Sequence, residues 1–501
     1  MGTDQTKTPL VDALKNFDKI SPAYFCIPSH HRGKGASSSF TEVFGKTVLK
    51  YDLTETPLTD DLHEADGAIK EAESLASELF GSDRTFFLVN GTTCANEAMI
   101  ISSVCEGEKI LVARNCHKSV LMGLIISGAS PVYIEPEISG VFSAFGSISP
   151  EKVELAFKNH PDIKAFILTS PTYYGIGSDL QKIADICHSH GALLLVDEAH
   201  GSHFAFSDKL PKTALSCGAD MVSQSTHKTL NSMTQSSMLH VKGSLVDISK
   251  VDAALKIVQS TSPSYILMAS LDAARQNAAL NGRTAGCRML DITSYIRSAL
   301  SSIDGVSCPE NVDGNEVFSF DKTRIIFSVK GISGFSLSEI LLEKYNICCE
   351  MADNYNVVSI IGSSDSYEDA DRLINAVKET AATVNSGKIK EFSLPPMPPI
   401  AMTPRKAFFA KSTRTNFKDS VGKVSAEMIA PYPPGIPVIY PGEVITEEIY
   451  EFISEAIKDE RHIHGFSDKS METIKITLNF KELSSIYNRF YIQHKIPCIV
   501  I

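Results

Sequence analysis

The chain has 501 residues, and 47 lysine plus arginine residues against 59 aspartate plus glutamate residues give a formal net charge of −12. This length exceeds one ordinary hydrophobic core, so we expect two or three domains, and 43% hydrophobic residues exclude a disordered chain. The acidic balance argues against nucleic acid as a partner, because neutralising phosphates requires clustered lysine and arginine.

The N-terminal residues 1–60 are predicted to form an arm that precedes the main domains. Residues 1–19 alternate charged and polar side chains and lack the apolar centre of a secretion signal. No window of the chain approaches the roughly 18 apolar residues that a membrane-spanning helix needs. The 11 cysteines show no metal-binding spacing, and we expect them to be reduced thiols. We therefore expect a cytoplasmic protein with no membrane or metal partner; a plastid location would follow if a transit peptide had been removed.

Residues 61–300 alternate between helical and strand patterns. An amphipathic helix is predicted over 64–80, and stretches such as 180–190 are long enough for crossover helices. Strands are predicted over 85–89, 109–113, 131–134, 165–169, 192–196, 221–223 and 237–241. This alternation predicts an α/β domain with a mostly parallel sheet, helices on both faces, and ligands at the carboxyl ends of the strands.

The pattern changes after residue 300. A strand over 324–329 and helices over 336–344 and 367–384 predict a smaller α+β domain, residues 301–390. The proline-rich run 394–399 predicts a linker within residues 391–405. A C-terminal α+β domain, residues 406–501, follows the linker, and 431–437 is expected to form a stiff turn.

The segment Asn90-Gly91-Thr92-Thr93 lies between a predicted strand and the predicted helix 94–101. Two hydroxyls and free backbone N–H groups at a helix N-terminus suit a phosphate. The same residues also make a good turn and helix cap, so taken alone the segment leaves both interpretations open.

Asp197 and Lys228 follow two further predicted strands. A carboxylate at the end of a buried strand needs a cation, a metal or several hydrogen-bond donors, and no second ligand at familiar spacing supports a metal. Lys228 ends the segment Ser225-Thr226-His227-Lys228, which shares the predicted rim with Thr92 and Thr93. Pyridoxal phosphate requires a lysine for a Schiff base, an acid for its ring nitrogen and a phosphate cradle, and this rim offers all three.

With these residues, the chain resembles the fold-type-I ornithine/lysine/arginine decarboxylase family in its short form without the N-terminal wing domain. The resemblance extends from about Tyr24 to about Glu448. Its motifs are DLTE (52–55), FFLVNGTT (86–93), RNCHKS (114–119), SPTY (170–173), DEAHG (197–201), QSTHKT (224–229), TSPSY (261–265) and PYPPG (431–435).

The resemblance implies a role for each matching residue. Lys228 would bind pyridoxal phosphate as the Schiff base, Asp197 would pair with the pyridine nitrogen, and His117 would stack on the ring. The other implied cofactor ligands are Thr92, Thr93, His200, Ser225 and His227, with Thr261 and Ser262 reaching the cofactor phosphate of a partner subunit. A homodimer or higher homo-oligomer follows from that last contact.

The implied reaction is decarboxylation of a basic L-amino acid in polyamine biosynthesis, with arginine first and lysine or ornithine next. Glu55, Glu350 and Asp353 are candidates to pair with the substrate cation, although solvated surface charge explains them equally well. Either Lys228 or His227 would return a proton to Cα. The family usually carries Pro-Gly-His-Lys where this chain has Pro28-Ser29-His30-His31, and this difference leaves the substrate open.

Three alternatives remain at the level of sequence. An aminotransferase of the same fold would carry an arginine for the substrate carboxylate in its smaller domain, and Arg324 is the candidate. A relative acting on a non-basic amino acid is the second alternative. A catalytically silent regulatory homologue is the third, and the presence of Lys228, Asp197 and His117 together argues against it.

Overall fold

The computed structural model describes residues 3–310, 312, 314, 316–384, 395–432, 436–459 and 461–478. These residues form two compact units. The first contains residues up to 123 together with 130–384, and the second contains 124–129 and the described residues from 395 onward. Within the described ranges, no helix combines the length and the apolar character needed to cross a membrane.

A seven-stranded sheet is the centre of the first unit. The strands of this unit are β1 (Arg84–Leu88), β2 (Lys109–Ala113), β3 (Ser130–Ile134), β4 (Ile138–Ser139), β5 (Ala144–Phe145), β6 (Ile163–Thr169), β7 (Ile176–Gly177), β8 (Leu193–Asp197), β9 (Met221–Gln224), β10 (Ser237–Val241), β11 (Val306–Ser307), β12 (Ser319–Phe320), β13 (Arg324–Val329), β14 (Met351–Ala352) and β15 (Val357–Ile360). The order across the large sheet is β1-β10-β9-β8-β6-β2-β3. Strand β10 is antiparallel to both neighbours, and the other four neighbouring pairs are parallel. The prediction of a mostly parallel sheet is confirmed.

Both faces of this sheet are buried, which explains why its strands are continuous apolar runs. Phe87, Leu111 and Phe166 point into a core shared with helices on one face. Residues of the opposite parity, such as Ile110 and Ile167, are fully buried as well. Period-two alternation is therefore absent, and the apolar runs themselves mark the strands.

The first unit contains thirteen α-helices among its described residues. They are α1 (Pro9–Ile20), α2 (Ser38–Phe44), α3 (Thr47–Lys50), α4 (Ala68–Phe80), α5 (Gly91–Ser103), α6 (Lys118–Ser127, whose last residues belong to the second unit), α7 (Pro150–Asn159), α8 (Leu180–Ser189), α9 (Thr226–Thr229), α10 (Ile248–Val258), α11 (Tyr265–Ser301), α12 (Gly334–Tyr345) and α13 (Tyr367–Thr383). Helix α4 begins four residues later than predicted. The Asp60 carboxylate accepts the backbone N–H groups of Gly67 (3.0 Å) and Ile69 (2.8 Å) and so caps the helix at this point.

A four-stranded sheet in the order β11-β13-β15-β14 also belongs to this unit. All its neighbouring strands are antiparallel, and helices α12 and α13 share its core. The predicted strand over 324–329 is confirmed as β13. The finer division of the chain into arm, large domain and smaller domain stays a prediction.

The second unit has its own core. Its elements are α14 (Pro404–Phe409), α15 (Glu447–Lys458), β16 (Ser412–Asn416), β17 (Ala430–Tyr432), β18 (His462–His464) and β19 (Thr473–Thr477). Strands β16 and β19 pair antiparallel, and Ile429, Ile449 and Ile474 are buried together. Residues 391–394 of the predicted linker and 433–435 of the predicted turn lie outside the described residues.

Candidate active site

Three residues singled out by sequence, Asp197, Ser225 and Thr92, lie at the carboxyl end of the large sheet together with Thr169. Asp197 is the last residue of β8, and Thr169 is the last residue of β6 and lies opposite Asp197 in the strand register. Ser225 follows β9 and occupies the N-cap position of α9. Thr92 follows β1, which runs in the same direction as β9. The topology therefore places these four side chains on one edge, as expected for a parallel sheet.

Two hydroxyl-bearing segments meet to form a cradle. Thr92 and Thr93 lie in the first turn of α5, which begins at Gly91, three residues earlier than predicted. The Thr92 Oγ1 atom lies 3.0 Å from Ser225 Oγ, which is buried. The first N–H groups of α5 have no partner within the helix, so hydroxyl and backbone donors converge where an anion is favoured.

Asp197 is held by a side chain that lies outside the sequence motifs. Asn96 on α5 donates from Nδ2 to Asp197 Oδ2 at 2.8 Å, and the Ala199 N–H donates to Oδ1 at 3.1 Å. Ser223 Oγ donates to Asn96 Oδ1 at 2.9 Å and thereby fixes the orientation of the amide. The signal in the sequence was the spacing: Asn96 is four residues after Thr92 and therefore lies on the same face of α5.

His117 joins the same hydrogen-bond network. Its Nδ1 accepts the Ser119 N–H at 3.2 Å, and Ser119 Oγ lies 2.8 Å from Nδ1 and 3.0 Å from Asn96 Nδ2. The ring keeps access to solvent although protein surrounds it, as expected for the wall of an open cleft. Desolvation lowers the pKa of His117, and the charge of Asp197 opposes this effect. The neutral ring then carries its proton on Nε2.

Lys228 points back toward the end of β8. Its Nζ lies 2.9 Å from His200 Nε2 and 5.5 Å above the ring of Tyr173. Burial lowers the pKa of Lys228; the charge of Asp197 opposes this effect, and the charge of Arg324 reinforces it. The amine is therefore easier to deprotonate than that of an ordinary surface lysine.

Arg324, the candidate for binding a substrate carboxylate, is engaged with protein groups. Its side chain is fully buried, and its Nε donates to Asp321 Oδ2 at 3.3 Å. Its Nη2 donates to His200 Nδ1 at 2.9 Å, while Nη1 has no hydrogen-bond partner among the described residues. The guanidinium is thus directed mainly at Asp321 and His200.

The three candidates for the substrate cation differ in their surroundings. Asp353 is committed to the protein, because Oδ1 accepts the Asn356 N–H at 2.7 Å and Oδ2 accepts the Tyr174 hydroxyl. Glu55 is exposed. Glu350 is also exposed, and its charge raises the pKa of Lys228.

The remaining predicted residues differ in their burial and their contacts. His227 is half-buried, with Nδ1 2.7 Å from the Ser236 carbonyl oxygen, and burial lowers its pKa. Thr261 and Ser262 are exposed, and within the described ranges no hydrogen bond joins them to the cradle. In the altered N-terminal motif, His30 is in hydrogen-bond contact with Asp52: its Nε2 lies 3.1 Å from Asp52 Oδ2.

These residues fit pyridoxal phosphate. The cradle of Thr92, Thr93 and Ser225 suits its phosphate, and the buried Asp197 suits a protonated ring nitrogen. Thr169 Oγ1, beside Asp197, is buried without a hydrogen-bond partner among the described residues, so a polar substituent of a bound ring would satisfy it. The part of the chain that the structure describes contains no cluster of acids, histidines or cysteines that would hold a metal ion.

Comparisons with known proteins agree with this geometry. The family model described as "Orn/Lys/Arg decarboxylase, major domain" matches residues 8–369, and its C-terminal-domain counterpart matches 388–476. The arginine decarboxylase of Halalkalibacterium halodurans is 40% identical over 94% of this chain and 98% of its own length. That of Bacillus subtilis is 38% identical over the same shares. The constitutive lysine decarboxylase of Escherichia coli superposes with a TM-score of 0.82 at 21% identity, covering 95% of this chain and 82% of that one. The predicted resemblance and fold class are confirmed.

Proposed function

This chain belongs to the Orn/Lys/Arg decarboxylase family, and from that premise we propose that its substrate is L-arginine, which it converts to the corresponding amine and carbon dioxide. It is a pyridoxal-phosphate-dependent decarboxylase of a basic amino acid. The observation that favours arginine is that the relatives sharing about two fifths of its residues over nearly their whole length are named arginine decarboxylases.

The bound cofactor supplies a sink for the electron pair of the Cα–carboxylate bond. Asp197 would hold the proton on the ring nitrogen, and Asn96 with the Ala199 N–H orients that carboxylate. Thr92, Thr93 and Ser225 would anchor the phosphate. These contacts would hold the cofactor in place before substrate arrives, so little reorganisation would be left for the reaction.

His117 and Lys228 would have different roles at the bound cofactor. The neutral His117 ring would cover one face of the cofactor and limit the access of water. Lys228 would bind the cofactor covalently through Nζ. The neighbouring His227 would reach the phosphate through Nε2, because its Nδ1 is directed at the Ser236 carbonyl.

Glu350 would pair with the guanidinium of the substrate. A planar guanidinium donates two N–H groups to one carboxylate, whereas lysine and ornithine present a point charge with a different reach. Among the three carboxylates considered, Glu350 combines an exposed side chain with an electrostatic effect on Lys228. Asp353 is satisfied by the protein.

A homodimer would complete each site. Thr261 and Ser262 are exposed, as required for contact with the cofactor phosphate of a partner subunit. Helix α2 buries none of its residues within the chain and exposes Phe40, Val43 and Phe44, which suits a protein interface. Mixing Lys228→Ala protein with a Thr261→Ala/Ser262→Ala double mutant should restore activity in mixed dimers. Activity no higher than that of either parent, with subunit exchange demonstrated, would contradict the shared site.

The reaction would serve cytoplasmic polyamine biosynthesis. Its product is an amine that bears a guanidinium, which is a suitable precursor of a polyamine. The cysteines that the structure describes are all free thiols, in keeping with a reducing compartment.

Covalent trapping tests the cofactor assignment. Borohydride treatment of the cofactor-loaded protein, followed by peptide mapping, should place the pyridoxyl group on Lys228. Its recovery on a different lysine would refute the role given to Lys228.

A further inference from the structure

A hydrogen-bonded chain connects Lys228 to a buried ion pair. Lys228 Nζ lies 2.9 Å from His200 Nε2, and His200 Nδ1 lies 2.9 Å from Arg324 Nη2. Arg324 Nε in turn donates to Asp321 at 3.3 Å. His200, Arg324 and Asp321 are all buried, so the chain is shielded from water along most of its length.

The donors and acceptors of this chain determine where its protons lie. A guanidinium only donates, so His200 Nδ1 must accept from Arg324 and carries no proton. A neutral imidazole then carries its single proton on Nε2, which must donate to Lys228 Nζ. An ammonium group has no lone pair with which to accept. The contact at Nζ therefore requires Lys228 to be a neutral amine.

Asp321 and His200 are each held in this hydrogen-bonded chain by further contacts. Asp321 also accepts the Thr323 hydroxyl at 2.7 Å and the Thr323 N–H at 2.9 Å, and His203 Nε2 lies 3.4 Å from the same oxygen. The His200 carbonyl oxygen accepts a second contact from Arg324 Nη2 at 3.3 Å. Arg324 thus contacts His200 at both the ring and the backbone carbonyl. The ring contact leaves His200 one tautomer.

The electrostatic surroundings keep His200 neutral, whereas their effects on the pKa of Lys228 oppose one another. Burial lowers the pKa of His200 well below its ordinary value, and the charge of Arg324 lowers it further. Burial and Arg324 also lower the pKa of Lys228, while Asp197 and Glu350 raise it. A protonated His200 would carry a second N–H group, at Nδ1, facing the Arg324 guanidinium, which also only donates, so that state is disfavoured.

We infer that Arg324 is a positioning residue which, by fixing the His200 tautomer, keeps Lys228 as a free amine ready to bond the cofactor. The inference rests on the proposed role of Lys228. In the bonding step the Nζ lone pair adds to an aldehyde carbon, a carbon–nitrogen double bond forms, and the carbonyl oxygen leaves as water with the two amine protons. No prior deprotonation is needed. The same free amine is available again whenever a substrate amine displaces Lys228.

Competitive labelling measures the protonation of Lys228 without turnover. The full-length chain, freed of cofactor, is treated with trace acetic anhydride across a pH series, and the modification of Lys228 is read by mass spectrometry. In Arg324→Met the labelling midpoint should rise by about one pH unit or more, a tenfold change in the amine fraction, because His200 Nδ1 loses its donor. Arg324→Lys should restore the low midpoint. An unchanged midpoint in folded Arg324→Met would overturn the inference.

Arg275→Gln is the matched control. Arg275 is equally buried and paired with Asp272 at 2.6 Å, but it belongs to α11 and contacts none of these residues. This variant should lose stability and keep the Lys228 midpoint.

Neutron diffraction from the unmutated chain covers the case in which Arg324→Met fails to fold. It should show a deuteron on His200 Nε2, none on Nδ1, and two on Lys228 Nζ; three on Nζ or one on Nδ1 would overturn the inference.

If borohydride trapping misses Lys228, the proposed function fails whatever these measurements show. If trapping succeeds and Arg324→Met leaves labelling unchanged, only the positioning role fails.

Discussion

Replacing Asp197 by asparagine tests the electrostatic role of the carboxylate most sharply. Asp197 is 3% exposed, and each of its oxygens accepts one protein donor. An asparagine has one acceptor oxygen, so one donor, from Asn96 or from the Ala199 backbone, would lose its partner. We expect a loss of about 1–3 kcal/mol of unfolding free energy from that unsatisfied group. The cofactor should remain bound through its phosphate and Lys228.

The catalytic loss in Asp197→Asn should be larger than the structural one. A neutral amide cannot hold the proton on the ring nitrogen, and removing a positioned electrostatic group costs on the order of 10²–10³-fold in kcat. The assay is carbon dioxide release at saturating arginine and cofactor, with urea unfolding measured in parallel.

Asp220→Asn is the matched control for this experiment. Asp220 is 4% exposed and accepts the Leu194 N–H at 2.7 Å, but it lies at the amino end of β9, the opposite edge of the sheet. It should lose comparable stability and keep kcat. Near-normal turnover in Asp197→Asn, or an equal loss in both variants, would refute the reasoning.

Two further predictions concern substrate charge and pH. Glu350→Gln should raise KM for arginine about tenfold or more with a smaller effect on kcat, whereas Glu55→Gln should change neither; equal effects in steady-state kinetics would remove Glu350 from the pocket. Burial raises the pKa of Glu198 to about 8, from 4.5 in an unperturbed chain, against the opposing hydrogen bonds of Gln224 and Ala214. Because the folded state binds this proton more tightly, its contribution to stability is greatest below pH 4.5 and declines as pH rises toward 8. Urea unfolding at pH 5, 6 and 7 should show a decline on the order of a few kcal/mol that Glu198→Gln reduces; an identical slope in both proteins would contradict this.

The strands of the large sheet were predictable because of where they lie. Strands β2 and β10 begin and end as predicted, since burial of both faces makes the whole apolar run a strand. The antiparallel direction of β10 could not be predicted from this pattern, because a strand buried on both faces has the same apolar sequence pattern in either direction. The start of α4 was wrong because its cap, Asp60, lies eight residues before the helix and acts through a fold in the chain.

The candidate site was predictable where its residues sit in short motifs at strand ends. Lys228, Asp197 and Thr92 follow buried strands, so parallel topology alone brings them to one edge. Asn96 and the contact between Arg324 and His200 were missed, because each depends on which elements become neighbours in space. Arg324 was noticed for a different role, since its charge is visible in sequence but its burial against Asp321 is not.

The measurement that tests the central claim most directly is kcat/KM for arginine, lysine, ornithine and norleucine with the cofactor-loaded protein, with products identified by mass spectrometry. A pocket that pairs a carboxylate with a guanidinium should reject the other amino acids by a few kcal/mol, about 10²-fold or more, because lysine and ornithine cannot form the bidentate pair and norleucine leaves the carboxylate unpaired. We predict that arginine is the best substrate and that its products are carbon dioxide and the corresponding amine. Preferred turnover of norleucine would contradict the cationic pocket, and a keto acid in place of carbon dioxide would contradict decarboxylation itself.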